Sequence, residues 1–422
     1  MDDIVCINKI KEWIKMELVT ILLRIILLYL IIVSGSIFIA YKANKKIESC
    51  IAINFGLIIL SLYIFGMLEI LKYGVWIISF SNIILGIYTI IKNKNNMKNL
   101  KGKILTPGFT FFTIVFLILI ITSYNKNLVD YDHYFYRSYN TKVLYYTNSM
   151  SRGYAALYPP AINLLEYFFM KIIGSYIQGI EAFAVQMLGF SLLIPLFNRE
   201  NKSKFMNTII TVLIICIPTI FKNLVFYESA YPDALLGLII GYCLYILVCE
   251  KDNKFKIITT ALLLSVCTIT KPIGFCIAGI IIAMYIIIQL LNSKENIKKL
   301  LKSKELKNIL ILIFIVLLIF SSWEIFKKIN NKYNEEIRGS NSSRVEGNPI
   351  IYTLKSIATT TLGYYEENHD AADSNNDLIP KLYSIEAVKT PIKITLYGVI
   401  AIIIITSLIL YKHVIKDENK KK

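Results

Sequence analysis

The chain has 422 residues, of which 55% are apolar and 18% charged, and it carries a formal net charge of +17. The apolar residues fall in runs of about 17 to 24, each long enough to cross a hydrocarbon core of about 30 Å as a helix, which excludes a soluble domain. The lysine excess is that of loops and helix ends that set orientation in a bilayer, so no nucleic-acid partner is expected.

In chain order, spans are expected near 19–41, 51–71, 74–92, 105–124, 177–197, 205–222, 234–250, 255–271, 273–291, 307–327 and 392–411. The fold class is therefore all-α, a polytopic integral membrane protein with about eleven transmembrane helices. No short apolar segment ends in a small-residue cleavage site, so no removed signal peptide is expected. The seven cysteines lie mostly within apolar runs, without CxxC or Cys/His ligand spacing, and read as buried hydrophobes. The richness in Ile, Lys and Asn is that of an AT-rich bacterial genome.

One further apolar segment, 158–174, is decided by charge. The loop 92–103 holds Lys92, Lys94, Lys98, Lys101 and Lys103 and should be cytoplasmic, which puts 125–157 outside. If 158–174 crossed, the basic loops at 198–204, 251–256 and 294–307 would also fall outside. If it lies along the outer surface, all three fall inside, together with the basic tail. Pro159 and Pro160 suit a first helical turn, and Glu166 and Lys171 are costly at mid-bilayer. The segment is therefore expected to be a juxtamembrane helix in the first large outer loop. This parity puts the N-terminus outside, against the sign of Lys9, Lys11 and Lys15.

Acids and bases then collect on the outer face. Asp130 and Asp132 follow the fourth span, with Arg137, Lys142 and Tyr145 shortly after. Tyr158 opens the surface helix, Glu228 and Asp233 lie in the next outer loop, and Lys271 lies in the turn between the eighth and ninth spans. A carboxylate can take the proton of an attacking hydroxyl, Lys and Arg can hold a phosphate leaving group, and tyrosines can flank a sugar ring. Such a set suits transfer of a group from a lipid phosphate to a hydroxyl. Blander readings stand beside it. Asp130 and Asp132 could be polar punctuation or ligands of a divalent metal, and Arg137, Lys142 and Lys271 could be snorkelling anchors. Asp233 after Pro232 could be a helix cap.

On these residues the chain resembles the GT-C superfamily of polytopic glycosyltransferases, and within it a group of bacterial membrane proteins. Their first outer loop carries a pattern like D-E-F-S-H-W, a Lys ten residues after the Asp, and an aromatic three further on. Asp132, Lys142 and Tyr145 keep that spacing, while His133 and Tyr136 stand where the family has Glu and His. The family's YPP falls on Tyr158, Pro159 and Pro160, its Y-x-D-x-L-L-G on Tyr231, Asp233, Leu235, Leu236 and Gly237, and its K-P-x-G on Lys271, Pro272 and Gly274.

The resemblance implies inverting transfer from a polyprenyl-phosphate-linked sugar to a cell-wall or surface-glycan acceptor, at the outer face of a bacterial plasma membrane. Asp132 would be the catalytic base or the group that positions the acceptor, with Asp130 as its rival. Lys142, Arg137, Tyr145, Tyr158, Glu228, Asp233 and Lys271 would bind substrate. No firm cofactor follows. The chain divides into N-terminal spans (1–104), a catalytic membrane core (105–327), an outer loop or lid (328–391), and a last span with a basic cytoplasmic tail (392–422). The rival readings are a surface-polysaccharide polymerase or ligase, a transporter or flippase of lipid-linked sugars, and an inactive relative.

Overall fold

The computed structural model describes residues 2–124, 126–127, 137–152, 158–198, 232–292 and 304–338. These residues fall in one compact unit, Met1–Ser340. They form twelve α-helices, with no strand among the described residues. In chain order these are α1 (Asp2–Ala43), α2 (Glu48–Met67), α3 (Leu71–Lys92), α4 (Met97–Ile104), α5 (Pro107–Ser123), α6 (Tyr139–Thr147), α7 (Ala161–Ile173), α8 (Gln178–Leu193), α9 (Pro232–Cys249), α10 (Asn253–Thr268), α11 (Gly274–Asn292) and α12 (Lys304–Arg338).

Six stretches are long and apolar enough to cross a membrane: Val19–Ala43, Glu48–Met67, Leu71–Lys92, Gln178–Leu196, Pro232–Cys249 and Leu306–Asn330. Large apolar side chains stand exposed along them, such as Phe80, Ile84 and Ile91 on α3 and Phe314 and Leu318 on α12. In water such faces would be a liability, and in a bilayer they are the lipid surface. The architecture is that of a helical membrane protein.

The count of eleven spans is reached only in part. The span expected at 105–124 is α5, of 17 residues, bent by 71° from Lys94–Ile104. The span expected at 255–271 is α10, of only 16 residues, and the one expected at 273–291 is represented by the shorter apolar stretch Gly274–Gln289. The spans expected at 205–222 and 392–411 lie outside the described residues, as does most of the loop or lid at 328–391. The first residues of that loop are helical instead, because α12 runs on to Arg338.

The helix ends gather at two levels. At the lysine-rich end, the Ile47 N–H donates to the Lys103 carbonyl at 3.0 Å, Lys45 pairs with Glu250 at 2.6 Å, and Lys103 reaches Asn44. Glu48 is buried there and accepts from the Thr106 hydroxyl at 2.8 Å. Thr106 is also the N-cap of α5, accepting from the Phe109 N–H at 3.2 Å, and Pro107 starts the helix. A carboxylate at this helix N-terminus offsets its partial positive charge and fixes the bend between α4 and α5.

At the opposite end, α8 begins where α5 finishes. The α-carbon of Gly179 lies so close to Ser123 that a β-carbon there would fall 1.6 Å from the Ser123 carbonyl oxygen. The intervening residues therefore leave and return at the same level. Helix α7, inside this excursion, has 13 residues and would be about 20 Å long, too short to cross. It is not among the stretches long and apolar enough to cross. Its position differs from the expectation, for it does not lie on the surface. Every residue of α7 except Lys171 is buried, packed among α1, α2, α6 and α8. Helix α7 is amphipathic, and its polar side is buried because Asn163 and Glu166 meet Thr141 of α6.

The C-terminus of α7 has a local cause. Gly174 adopts φ +82, and its N–H returns to the Met170 carbonyl at 2.7 Å. Arg24, on α1, donates Nη1–H to the Ile173 carbonyl at 2.9 Å. Cys50, Cys243 and Cys267 are buried free thiols, as expected, whereas Cys249 is exposed.

Candidate functional site

The expected site residues separate into three groups. Asp130, Asp132 and Glu228 lie outside the described residues. The rest stand at the end opposite the lysine-rich one, in two neighbourhoods.

The first joins the YPP and K-P-x-G segments. Pro159 and Pro160 are buried at the start of α7, and Tyr158 before them is 37% exposed. The Ala161 N–H, left without a helical partner at that start, donates to the Ile269 carbonyl at 2.9 Å. Two residues on, Lys271 Nζ stands 2.5 Å from the Asp233 carboxylate, in the first turn of α9. The structure thus brings together Tyr158's segment, Lys271 and Asp233, from three separate parts of the sequence. The Asp233 side chain is 60% exposed and that of Lys271 30%, so the pair adds no more than about 1 kcal/mol to stability. Asp233→Asn is expected to shift the unfolding free energy by less than that, read as a thermal midpoint in detergent. A larger loss would mean that the pair is a structural lock.

The second neighbourhood surrounds α6. Tyr145 is partly buried, with its ring 5.2 Å from that of Tyr146 and 6.1 Å from that of Tyr176. Lys142 is exposed, with Nζ 5.8 Å from the Tyr176 ring centre. Arg137 opens the helical turn that leads into α6 and is half-buried.

Beneath these residues lies a polar cluster that sequence reasoning missed. Glu166 on α7 and Glu181 on α8 are both fully buried. Thr141 donates to Glu166 Oε2 at 2.5 Å, and Asn163 Nδ2 donates to Thr141 Oγ1 at 2.7 Å and to the Arg137 carbonyl at 3.2 Å. Ser138 donates to Glu181 Oε1 at 3.0 Å, with the Tyr176 hydroxyl 2.6 Å from Ser138 Oγ. Burial raises Glu166 above the usual carboxylate range, against the lowering effects of the Thr141 bond and the Arg137 charge. Burial also holds the Tyr176 hydroxyl well up, so it stays protonated as a donor.

The cluster ties α6 and the turn before it to α7 and α8. A signal for it was present. Ser138 and Thr141 are three residues apart on one helix, as are Asn163 and Glu166 on the next, which puts each pair on one face. Glu181 gave no such signal within an apolar run.

Among the described residues no three His, Cys, Asp or Glu side chains converge on a position that could hold a metal ion. The two aspartates weighed as divalent-metal ligands, Asp130 and Asp132, are outside those residues. Comparison of the chain with protein families, curated proteins and solved structures finds no match.

Proposed function

We propose that this chain is a membrane glycosyltransferase of GT-C type, acting at the outer face of a bacterial plasma membrane. It would move a sugar from a polyprenyl-phosphate donor to a surface-glycan acceptor. The observation that carries this reading is the meeting of the YPP, K-P-x-G and Asp233 segments at one end of the bundle, through the Ala161–Ile269 hydrogen bond and the Lys271–Asp233 pair. Lysines gather at the other end, which supports a cytoplasmic assignment for that end.

In the proposed reaction the acceptor hydroxyl oxygen attacks the anomeric carbon. The bond from that carbon to the phosphate oxygen breaks, the hydroxyl proton passes to Asp132, and polyprenyl phosphate departs. Lys142, which has no acidic partner among the described residues, would offset the leaving charge. Lys271 is already matched by Asp233, so its share would be positional, setting the turn beside Tyr158.

A transporter would need charges at mid-bilayer on broken helices. Arg24, a cation within the first span, serves here as the cap of α7.

The test is release of free polyprenyl phosphate by protein in nanodiscs, offered a panel of polyprenyl-phosphate monosaccharides. Asp132→Asn should lower release by about 100-fold or more, the usual share of a general base. No release from any donor by folded protein would overturn the proposal.

A further inference from the structure

Four cations are arranged around the rings of Tyr145, Tyr167 and Tyr176, on α1, α3, α6 and α7. Lys171 Nζ stands over the Tyr145 ring at 4.4 Å and over the Tyr167 ring at 5.4 Å. Lys72, at the start of α3, is near enough for its charge to act on Lys171, and Arg24 is near enough to act on Tyr145. Lys142 faces Tyr176, whose ring packs against that of Tyr145.

None of the four has a carboxylate partner among the described residues. The nearby acids are otherwise engaged. Glu69, three residues before Lys72, accepts from the Ser149 hydroxyl at 2.8 Å, and Glu166 accepts from Thr141. The C-terminus of α7 offers about half a negative charge, and Arg24 meets it with one N–H. Together with the Glu69 carboxylate, that offsets only part of four full positive charges. Lys171 is the telling member, because it is half-buried between two rings where a purely solvated lysine has no reason to be.

The depth of the cluster is marked by its neighbours. Beside Arg24, Leu22 and Leu23 are 50% and 61% exposed, a lipid-facing surface. Beside Lys72, Tyr73 and Trp76 are 67% and 44% exposed, the kind of aromatic belt that sits among lipid head groups. Cations with no carboxylate ion pair among the described residues, at the level of these aromatics, are suited to phosphate.

We propose that Lys171, Lys72, Arg24 and Lys142, framed by Tyr145 and Tyr176, form a binding site for the phosphate of an anionic lipid. Lys and Arg donors hold the phosphate oxygens by charge-assisted hydrogen bonds, and the tyrosine rings fix the Lys171 ammonium. Two sources share this chemistry, a bulk anionic phospholipid and a polyprenyl monophosphate. The second deepens the proposed function and rests on it, and the first does not.

The test is lipid retention, read by native mass spectrometry of protein released from vesicles of phosphatidylcholine mixed with either phosphatidylglycerol or undecaprenyl phosphate. Wild type should keep the phosphate lipid in preference to phosphatidylcholine. Lys171→Gln and Lys142→Gln combined should lower retention by about tenfold, the effect of roughly one charge-assisted bond. Lys171→Arg, which keeps the charge, should retain it, and so should Lys94→Gln at the lysine-rich end. Undecaprenyl phosphate displacing phosphatidylglycerol would identify the donor's seat, and the reverse would identify a bulk-lipid site. Asp132→Asn should leave retention intact, which separates this site from the proposed chemistry. Equal retention in wild type and the double glutamine variant, with both folded, would overturn the proposal.

Discussion

Glu166→Leu should cost about 3 kcal/mol or more and sharply reduce the yield of folded protein, whereas Glu166→Gln should fold and lose much of the pH dependence of stability. The difference follows from what surrounds the carboxyl. It is fully buried, accepts from Thr141, and lies within reach of the Arg137 charge. Leucine would strand the buried Thr141 hydroxyl in a place without water, and a lone buried partner is expensive. Glutamine keeps an oxygen for Thr141 and removes only the titration. Burial lifts Glu166 from its ordinary value of 4.5 to about 7, the folded state thus favouring the protonated form. The sign follows. Below 4.5 the carboxyl is protonated in both states and its contribution to stability is fully present. As pH rises from 4.5 through about 7, ionisation favours the unfolded chain and that contribution is lost. Thermal midpoints in detergent should therefore fall across that window in wild type, and fall less in Glu166→Gln. Identical slopes in the two proteins would mean that Glu166 does not titrate there.

The same residue shows how far sequence carries. Read alone, Glu166 in an apolar helix asks for water, and the surface was the natural place to put it. The structure supplies a hydroxyl from α6 instead, 25 residues earlier in the chain. Such a partner is invisible to hydropathy, which measures one segment at a time. The long spans were legible because their signal is local. Val19–Ala43 and Leu71–Lys92 lie within about three residues of their expected limits, a usual margin for helix ends. Helix α7 was legible in extent, through Pro160 at its start. Its burial was not legible, because the polar face of Asn163 and Glu166 finds its partner on another helix.

Among the site residues, the approach of Asp233 to Lys271 was foreshadowed by motif order, since both belong to patterns expected on one face. The cation cluster was not. Arg24 and Lys72 lie far from the motifs in sequence, and Lys171 was read only as a charge that excludes crossing. What unites them is the packing of α1 and α3 against α7, a tertiary fact.

Gly179→Ala should be among the most damaging single changes in the described chain, and it tests the return of the chain between α5 and α8. Gly179 is the second residue of α8. A β-carbon there would fall 1.6 Å from the Ser123 carbonyl oxygen, 2.7 Å from its carbon and 3.1 Å from the Lys126 carbonyl oxygen. All three are backbone atoms, so no rotamer change relieves the clash. The Ser123 oxygen is also held, since it accepts the Lys126 N–H at 3.0 Å. The α5 and α8 ends must therefore separate, at a cost at or above the upper range of overpacking, about 3 kcal/mol. Gly241 and Gly279 give the contrast, because a β-carbon at either meets nothing within 4 Å. Both lie inside helices, where alanine is preferred to glycine by about 0.5 to 1 kcal/mol, so these changes should be neutral or stabilising. Thermal midpoints of the three variants decide the point. A Gly179→Ala midpoint equal to that of Gly241→Ala would mean that the two helix ends are not in contact. The route by which α6, α7 and their buried acids reach one level of the bundle would then need another anchor. If the clash is real, lipid retention should fall with the fold in Gly179→Ala, while Gly279→Ala keeps both.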